Sequence, residues 1–338
     1  MMQKVGYLSH FATALALAIA LAATAFTVNA QDSAKPKLSD GETKAATAIN
    51  NAADAAAKLT AAEAFIKKYP KSTLRPDVAK TITNEIGSMK DAGQRLPLAE
   101  RFLKTFTAEG ESDRIRVLVI DDYARAKRGD EAFALGTTAL AKQPENVAIL
   151  SVLALVGAEE VRQQNPKHGA LSLQYGVKAI ELLEANKKPA SMDEETWTYQ
   201  KSLLPRLYLD MGMLSLASNN PTDARPRLEK AIQLDPAEPS GYVYLGGILD
   251  DEYKAAAEAF QGMKEGPEKQ AALKKATDLM DKVIDLYAHA LGTASGRPEY
   301  KAMYDQVVES VTPYYRYRYK STTGLQALID KYKVAAKP

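Results

Sequence analysis

The chain has 338 residues, 46% hydrophobic and 25% charged, which is enough apolar material for a large core and unlike a disordered chain. It carries 44 basic residues against 42 acidic ones and no cysteine. That balance excludes the basic field of a nucleic-acid binder, and the missing thiols exclude disulfides, thiolate metal sites and cysteine nucleophiles.

Lys4, the apolar run from Phe11 to Phe26 and the small residues Val28-Asn29-Ala30 compose the three-part pattern of a secretory signal peptide, with cleavage expected after Ala30. The run is shorter than the roughly 20 residues a bilayer span requires, and no cysteine follows to carry a lipid, so no membrane span is expected after cleavage. Loss of residues 1–30 removes Lys4 and no acid, leaving 43 basic against 42 acidic residues. The expectation is an exported protein, periplasmic first and fully secreted as the alternative, held together by helix packing alone.

Residues 31–41 are polar and contain Pro36, which predicts a flexible leader, with helix beginning near Glu42. Ala45 to Lys58 is alanine-rich, and the run from Ala61 predicts a second helix that stops at Pro70. Arg75 to Met89 and Leu96 to Thr107 form the next pair, with Leu98, Phe102 and Phe106 spaced for one face. In the following unit Arg128-Gly129-Asp130 reads as a turn between helices, and after it Gly169 to Ala185 reads as a late second helix.

Ser191 and Glu194 have the spacing of a capping box, which predicts one long helix from Met192 to about Ala217, kinked at Pro205. Two longer helices, Gly241 to Met263 and Pro267 to Leu291, are expected next, then a loop from Gly292 to Arg297 and a helix from Pro298 to Val311. Thr312-Pro313 has the cap-then-proline look of a fresh helix start, and a last helix is expected at about Gly324 to Tyr332.

The stretch from Pro205 to Pro239 carries the clearest internal repeat. Tyr208, Met211, Gly212 and Ser215 make the face of one helix, Ala224, Leu228 and Ala231 that of a second, and Pro236 ends it. A shift of about 34 residues carries Pro205 onto Pro239, Tyr208 onto Tyr242, Met211 onto Leu245 and Gly212 onto Gly246. Tyr123, Ala132, Gly136, Ala139 and Pro144 fall on the same offsets in an earlier unit. This pattern resembles the tetratricopeptide repeat.

The resemblance implies an all-α right-handed superhelical solenoid of antiparallel helix pairs from Glu42 to Lys333, with elongated last pairs. It also implies an inner groove lined by the first helix of each pair. Carried over position by position, the lining is Arg114, Val117, Asp121, Ala124 and Arg125 in the Tyr123 unit, and Arg206, Leu209, Met213, Leu216 and Ala217 in the Pro205 unit. The Pro239 unit adds Ser240, Val243, Gly247, Asp250 and Asp251. Such a mixed lining suits a peptide or a helix from another protein.

Residue types that carry catalysis are sparse. His168 and His289 lie far apart without zinc spacing, no Gly-x-Ser-x-Gly elbow is present, and Asp250-Asp251-Glu252 lacks the alternation of a calcium loop. Tyr314 to Lys320 interleaves aromatic and basic residues, and two readings stay open: rings packed on neighbouring helices, or a ligand surface formed by Tyr315, Arg316 and Tyr319. The leading expectation is a non-enzymatic exported scaffold, without cofactor or metal, that binds another protein through its groove. The alternatives are a self-assembling envelope structural protein and, behind it, a carbohydrate binder or an enzyme.

Overall fold

Fifteen α-helices and one 3-10 turn make up the regular structure of a computed structural model that describes residues 38–108, 110–190 and 192–333, without the side chains of Asp113 and Arg114. No strand occurs among the described residues, and consecutive helices pack against one another in a repeat-like arrangement. Contacts group the helices into two units divided between Pro144 and Glu145. The expected signal peptide, residues 1–30, lies outside the described residues, as does most of the expected leader.

The first unit contains α1 (Asp40–Asn50), α2 (Ala55–Lys68), α3 (Arg75–Ser88), α4 (Ala92–Thr105), α5 (Asp113–Arg125) and α6 (Gly129–Lys142). Helix α1 starts two residues before the expected Glu42, because the Ser39 side chain accepts from the Glu42 amide while the Glu42 carboxylate accepts from the Ser39 amide. The alanine-rich stretch does not run on to Lys58. Asp54 caps a new helix by accepting from the Ala57 amide, so α2 begins well before Ala61.

Leu59, Phe65, Ile82, Phe102 and Phe106 are buried together in this unit, with Phe102 and Phe106 stacked at 4.3 Å. Charge ties it as well: Arg95 donates through Nε to Asp122 at 2.8 Å and through Nη2 to the same carboxylate, while Nη1 reaches the Met89 carbonyl. Both side chains are buried, so α4 and α5 are joined by a paired and desolvated salt bridge.

The second unit contains α7 (Val147–Arg162), α8 (Gly169–Glu184), α9 (Glu194–Ser202), α10 (Leu204–Ala217), α11 (Pro221–Leu234), α12 (Pro239–Gln261), α13 (Pro267–Ala294), α14 (Lys301–Tyr319) and α15 (Leu325–Lys331). The single kinked helix expected from Met192 to Ala217 is instead two segments, α9 and α10, separated at Leu203. Asp193 caps the first by accepting from the Thr196 amide, so it begins at Glu194; Ser191 lies outside the described residues. The break falls just before Pro205, which has no N–H to continue the ladder into α10.

Glycines set how closely the pairs approach. A Cβ at Gly212 would sit 2.7 Å from the Leu228 side chain, and one at Gly246 would sit 2.5 Å from the Tyr287 ring. These two glycines are related by the repeat shift, and each faces the second helix of its own pair. In the α12–α13 pair that partner residue comes much later in the chain, because both helices extend past the stack into a largely exposed hairpin from about residue 254 to residue 275.

The C-terminal end departs from expectation in two places. Helix α13 continues through Gly292 to Ala294, where a Cβ on Gly292 would meet the Ile329 carbonyl at 2.6 Å, so the glycine admits α15 rather than opening a loop. Helix α14 runs unbroken through Thr312-Pro313. Met303, Val307 and Val311 are buried on one face, and Tyr314 and Tyr315 continue that face against the same core. Packing of that stripe outweighs the ladder hydrogen bond that proline removes.

Candidate functional site

Helices α10 and α12 supply the groove residues expected in the second unit, and the structure divides them. Leu209 and Met213 retain only 4% and 6% of their surface, so these two expected apolar anchors belong to the helix stack and offer a partner little area. Leu216 is half-buried against the same cluster, and Val243 packs against the core of the last helices. Arg206 is 40% exposed.

Arg206 is held by a network that sequence reasoning missed. Its Nε donates to Asp210 Oδ2 at 2.8 Å, one turn further along α10. Asp210 is fully buried and also accepts from Arg162 of α7, whose Nη1 in turn bonds Glu159 at 2.9 Å. The Tyr244 ring of α12 lies beside this cluster, and burial pushes its phenol pKa up. Two cations and two carboxylates therefore neutralise one another where α7, α10 and α12 meet. The Arg206/Asp210 spacing of four and the Glu159/Arg162 spacing of three were the available signals; neither shows that the two pairs meet.

Beside the network opens a cleft of about 160 Å³. Its lining includes Pro205, Arg206 and Leu209 at and within α10, and Ala231 and Ile232 of α11. Asp235, Glu238 and Gly241, where α11 gives way to α12, also line it. Gly241 is required to be small here: a Cβ would meet Ile232 at 2.9 Å. The Glu238 carboxylate caps α12 through the Ser240 amide at 3.0 Å and accepts from the Tyr300 hydroxyl at 2.6 Å, while Arg297 stacks on the Tyr300 ring and reaches the Ala237 carbonyl.

Further along α12, Gly247 has no heavy atom within 4 Å of where a Cβ would stand. Asp250 is mostly buried: it accepts from the Tyr314 hydroxyl at 2.5 Å and pairs with Lys254 at 2.7 Å. Asp251 is 86% exposed. Among the described residues no group of three or more His, Asp or Glu side chains is placed to hold a metal ion.

The aromatic and basic string of α14 is divided by helix geometry. Tyr314 sits edge-on to Tyr253 at 5.5 Å, and Arg318 clasps Asp281 of α13 at 2.7 and 3.0 Å. Tyr315 packs on the core with its ring 4.6 Å from that of Tyr319. Tyr317 and Tyr319 are 67% and 48% exposed, and Arg316 is also exposed. Of the three residues expected as a surface, Arg316 and Tyr319 face outward and Tyr315 is mostly packed.

His289 stands in a three-ring stack, 3.9 Å from Tyr242 of α12 and 4.1 Å from Tyr332 beyond α15. Burial lowers its pKa, Asp285 opposes that shift and Lys331 adds to it. Its role is to bind three elements together. His168 is bonded to Glu160 at 2.7 Å.

In the first unit, Asp121 and Arg125 form an ion pair at 2.7 Å along α5. The Arg114 side chain lies outside the described residues. Among the described residues no helix is long and apolar enough to cross a membrane. No family model matches the chain, and the search of curated proteins gives no match.

Proposed function

We propose that the protein is an exported, non-enzymatic scaffold of the tetratricopeptide type that binds a segment of another protein along the face where α7, α10 and α12 meet. The observation that carries this reading is the convergence of residues from successive repeat units, Arg206 and Leu209 with Glu238 and Gly241, on one cleft beside a neutralised charge network. A surface built by adjacent repeats is what a stacked-pair architecture offers a peptide.

The test is crosslinking capture from the envelope of the producing cells with the chain from Gln31 onward, set against a Gly247→Trp variant. The open space at Gly247 lets a large side chain obstruct the face without displacing the core. Capture of one protein by the native chain and its loss with the variant supports the scaffold reading; equal capture by both sinks it.

Self-assembly is a second reading, favoured by Leu273 at 49% exposure on the protruding hairpin and by Tyr317 and Tyr319 on α14. A molar mass that rises with concentration, and does not rise when Leu273 and Tyr317 are both changed to Lys, would establish it.

A further inference from the structure

The outer face of the last turns of α14 carries charge that the fold does not use. From Pro313 to Gly324 the chain holds three cations, Arg316, Arg318 and Lys320, and no acidic residue. Arg318 is turned toward α13, where Asp281 accepts from it at 2.7 and 3.0 Å. Arg316 and Lys320 are exposed, and neither has a carboxylate partner among the described residues. Standing four residues apart, they share one face of the helix. The nearest acid on that face of α14 is Glu309, about 10 Å back along the axis at 1.5 Å per residue.

Like charges at this spacing repel, and the negative pole at the C-terminal end of α14 offsets part of that repulsion. The pole accounts for basic residues in the last turn. It does not account for the rings beside them. Tyr317 flanks the two cations on one side and Tyr319 on the other, with 67% and 48% of their surface exposed. Their faces are largely taken: Lys320 stands over Tyr317 at 4.8 Å, and Tyr319 is met by Tyr315 at 4.6 Å and Arg318 at 5.4 Å, with Asp281 near its hydroxyl.

A sugar or a base needs a free ring face to stack on. What these rings leave open is mainly edge, and tyrosine edges beside cations match the headgroup layer of an anionic bilayer, where the ring and the basic head each find partners. An acidic peptide would need a groove to hold its chain, and a helix end is convex.

We propose that the C-terminal end of α14 is a docking surface for an anionic lipid bilayer, with Arg316 and Lys320 at the phosphates and Tyr317 and Tyr319 in the headgroup layer. This surface is distinct from the groove and does not depend on the groove reading.

The test is co-sedimentation of the chain from Gln31 onward with vesicles of equal parts phosphatidylglycerol and phosphatidylcholine, and with vesicles of phosphatidylcholine alone. Binding is expected to the first only, and to fall at high salt. Arg316→Gln/Lys320→Gln is expected to lower the partition coefficient about thirtyfold, and Arg316→Gln alone about fivefold, as two cations or one at a charged surface imply. Tyr317→Ser should weaken binding while leaving its salt dependence in place. Lys264→Gln/Lys275→Gln removes the same charge from exposed positions on the hairpin and should change nothing. If the Arg316/Lys320 pair lowers the melting temperature, the single Arg316 variant carries the comparison.

No binding to either vesicle, equal binding to both, or an equal loss with the Lys264/Lys275 pair would overturn the proposal. Binding of soluble poly-glutamate without binding of vesicles would overturn it as well and give the surface to an acidic peptide. Loss of captured protein with Gly247→Trp and unchanged vesicle binding by that variant would show the two surfaces to be independent, as expected; loss of both would overturn the separation.

Discussion

Asp210 shows how a single side chain can set the character of a surface. It is buried completely, it joins Arg162 of one helix pair to Arg206 of the next, and without it two cations would face each other across a desolvated contact. Asp210→Ala should therefore lower unfolding free energy by about 3 kcal/mol, the low end for a broken buried pair because Arg206 remains 40% exposed. Denaturant titration measures it, and a cost near that of an exposed pair would show that the network is incidental. Its i, i+4 relation to Arg206 is legible in the sequence, but its meeting with Arg162 is not, since that contact spans two helix pairs.

His289 carries a pH dependence of definite sign. The fold holds its pKa below the ordinary value of about 6.5, mainly through burial between Tyr242 and Tyr332, with Lys331 in the same direction and Asp285 against it. The unfolded chain then takes up the proton first. The contribution is fully present above pH ~6.5 and declines as pH falls through that value toward the lowered native pKa. Native protein should lose denaturation midpoint between pH 7.5 and 5.5 more steeply than His289→Phe, whose ring preserves the stack; identical slopes would assign the loss to other groups.

At the scale of elements, adjacent glycines on α12 make opposite predictions. A Cβ at Gly246 meets the Tyr287 ring at 2.5 Å, and that ring is itself buried. Gly246→Ala should cost about 1–3 kcal/mol through overpacking. Gly247 faces open space, so Gly247→Ala should gain about 0.5–1 kcal/mol from helix propensity alone. Thermal midpoints moving the same way for both variants would contradict this account of the pair. The repeat shift placed Gly246 opposite Gly212 in the pattern, and close approach is found at both. Proline misled the same kind of reasoning at Thr312-Pro313, where the buried stripe of α14 continues regardless, because a local hydrogen bond lost is smaller than the packing retained.

At the scale of the whole molecule, each unit has buried clusters drawn from its own residues, Ile49 to Val119 in one and Leu209 to Ile329 in the other. A fragment beginning at Glu145 should therefore unfold in one cooperative transition with the helical signal of its nine helices; gradual loss of helix on heating would refute this. In the second unit the stack ends at α15, docked through Tyr332 on His289 and through Gly292 against Ile329.

The sequence by itself determined the helical class, the small residues at pair contacts, the elongated α12 and α13, and most helix boundaries to within two residues. Periodicity, caps and glycine positions act over a few neighbours and can be read from neighbours alone. The tertiary structure alone decided that α9 and α10 separate at Leu203, that Leu209 and Met213 are buried, and that Arg162 and Tyr244 join the Arg206 network. It also decided that Asp235 and Glu238 face the same cleft. These features depend on which helix lies against which, and the surface a residue keeps is set by partners distant in the chain.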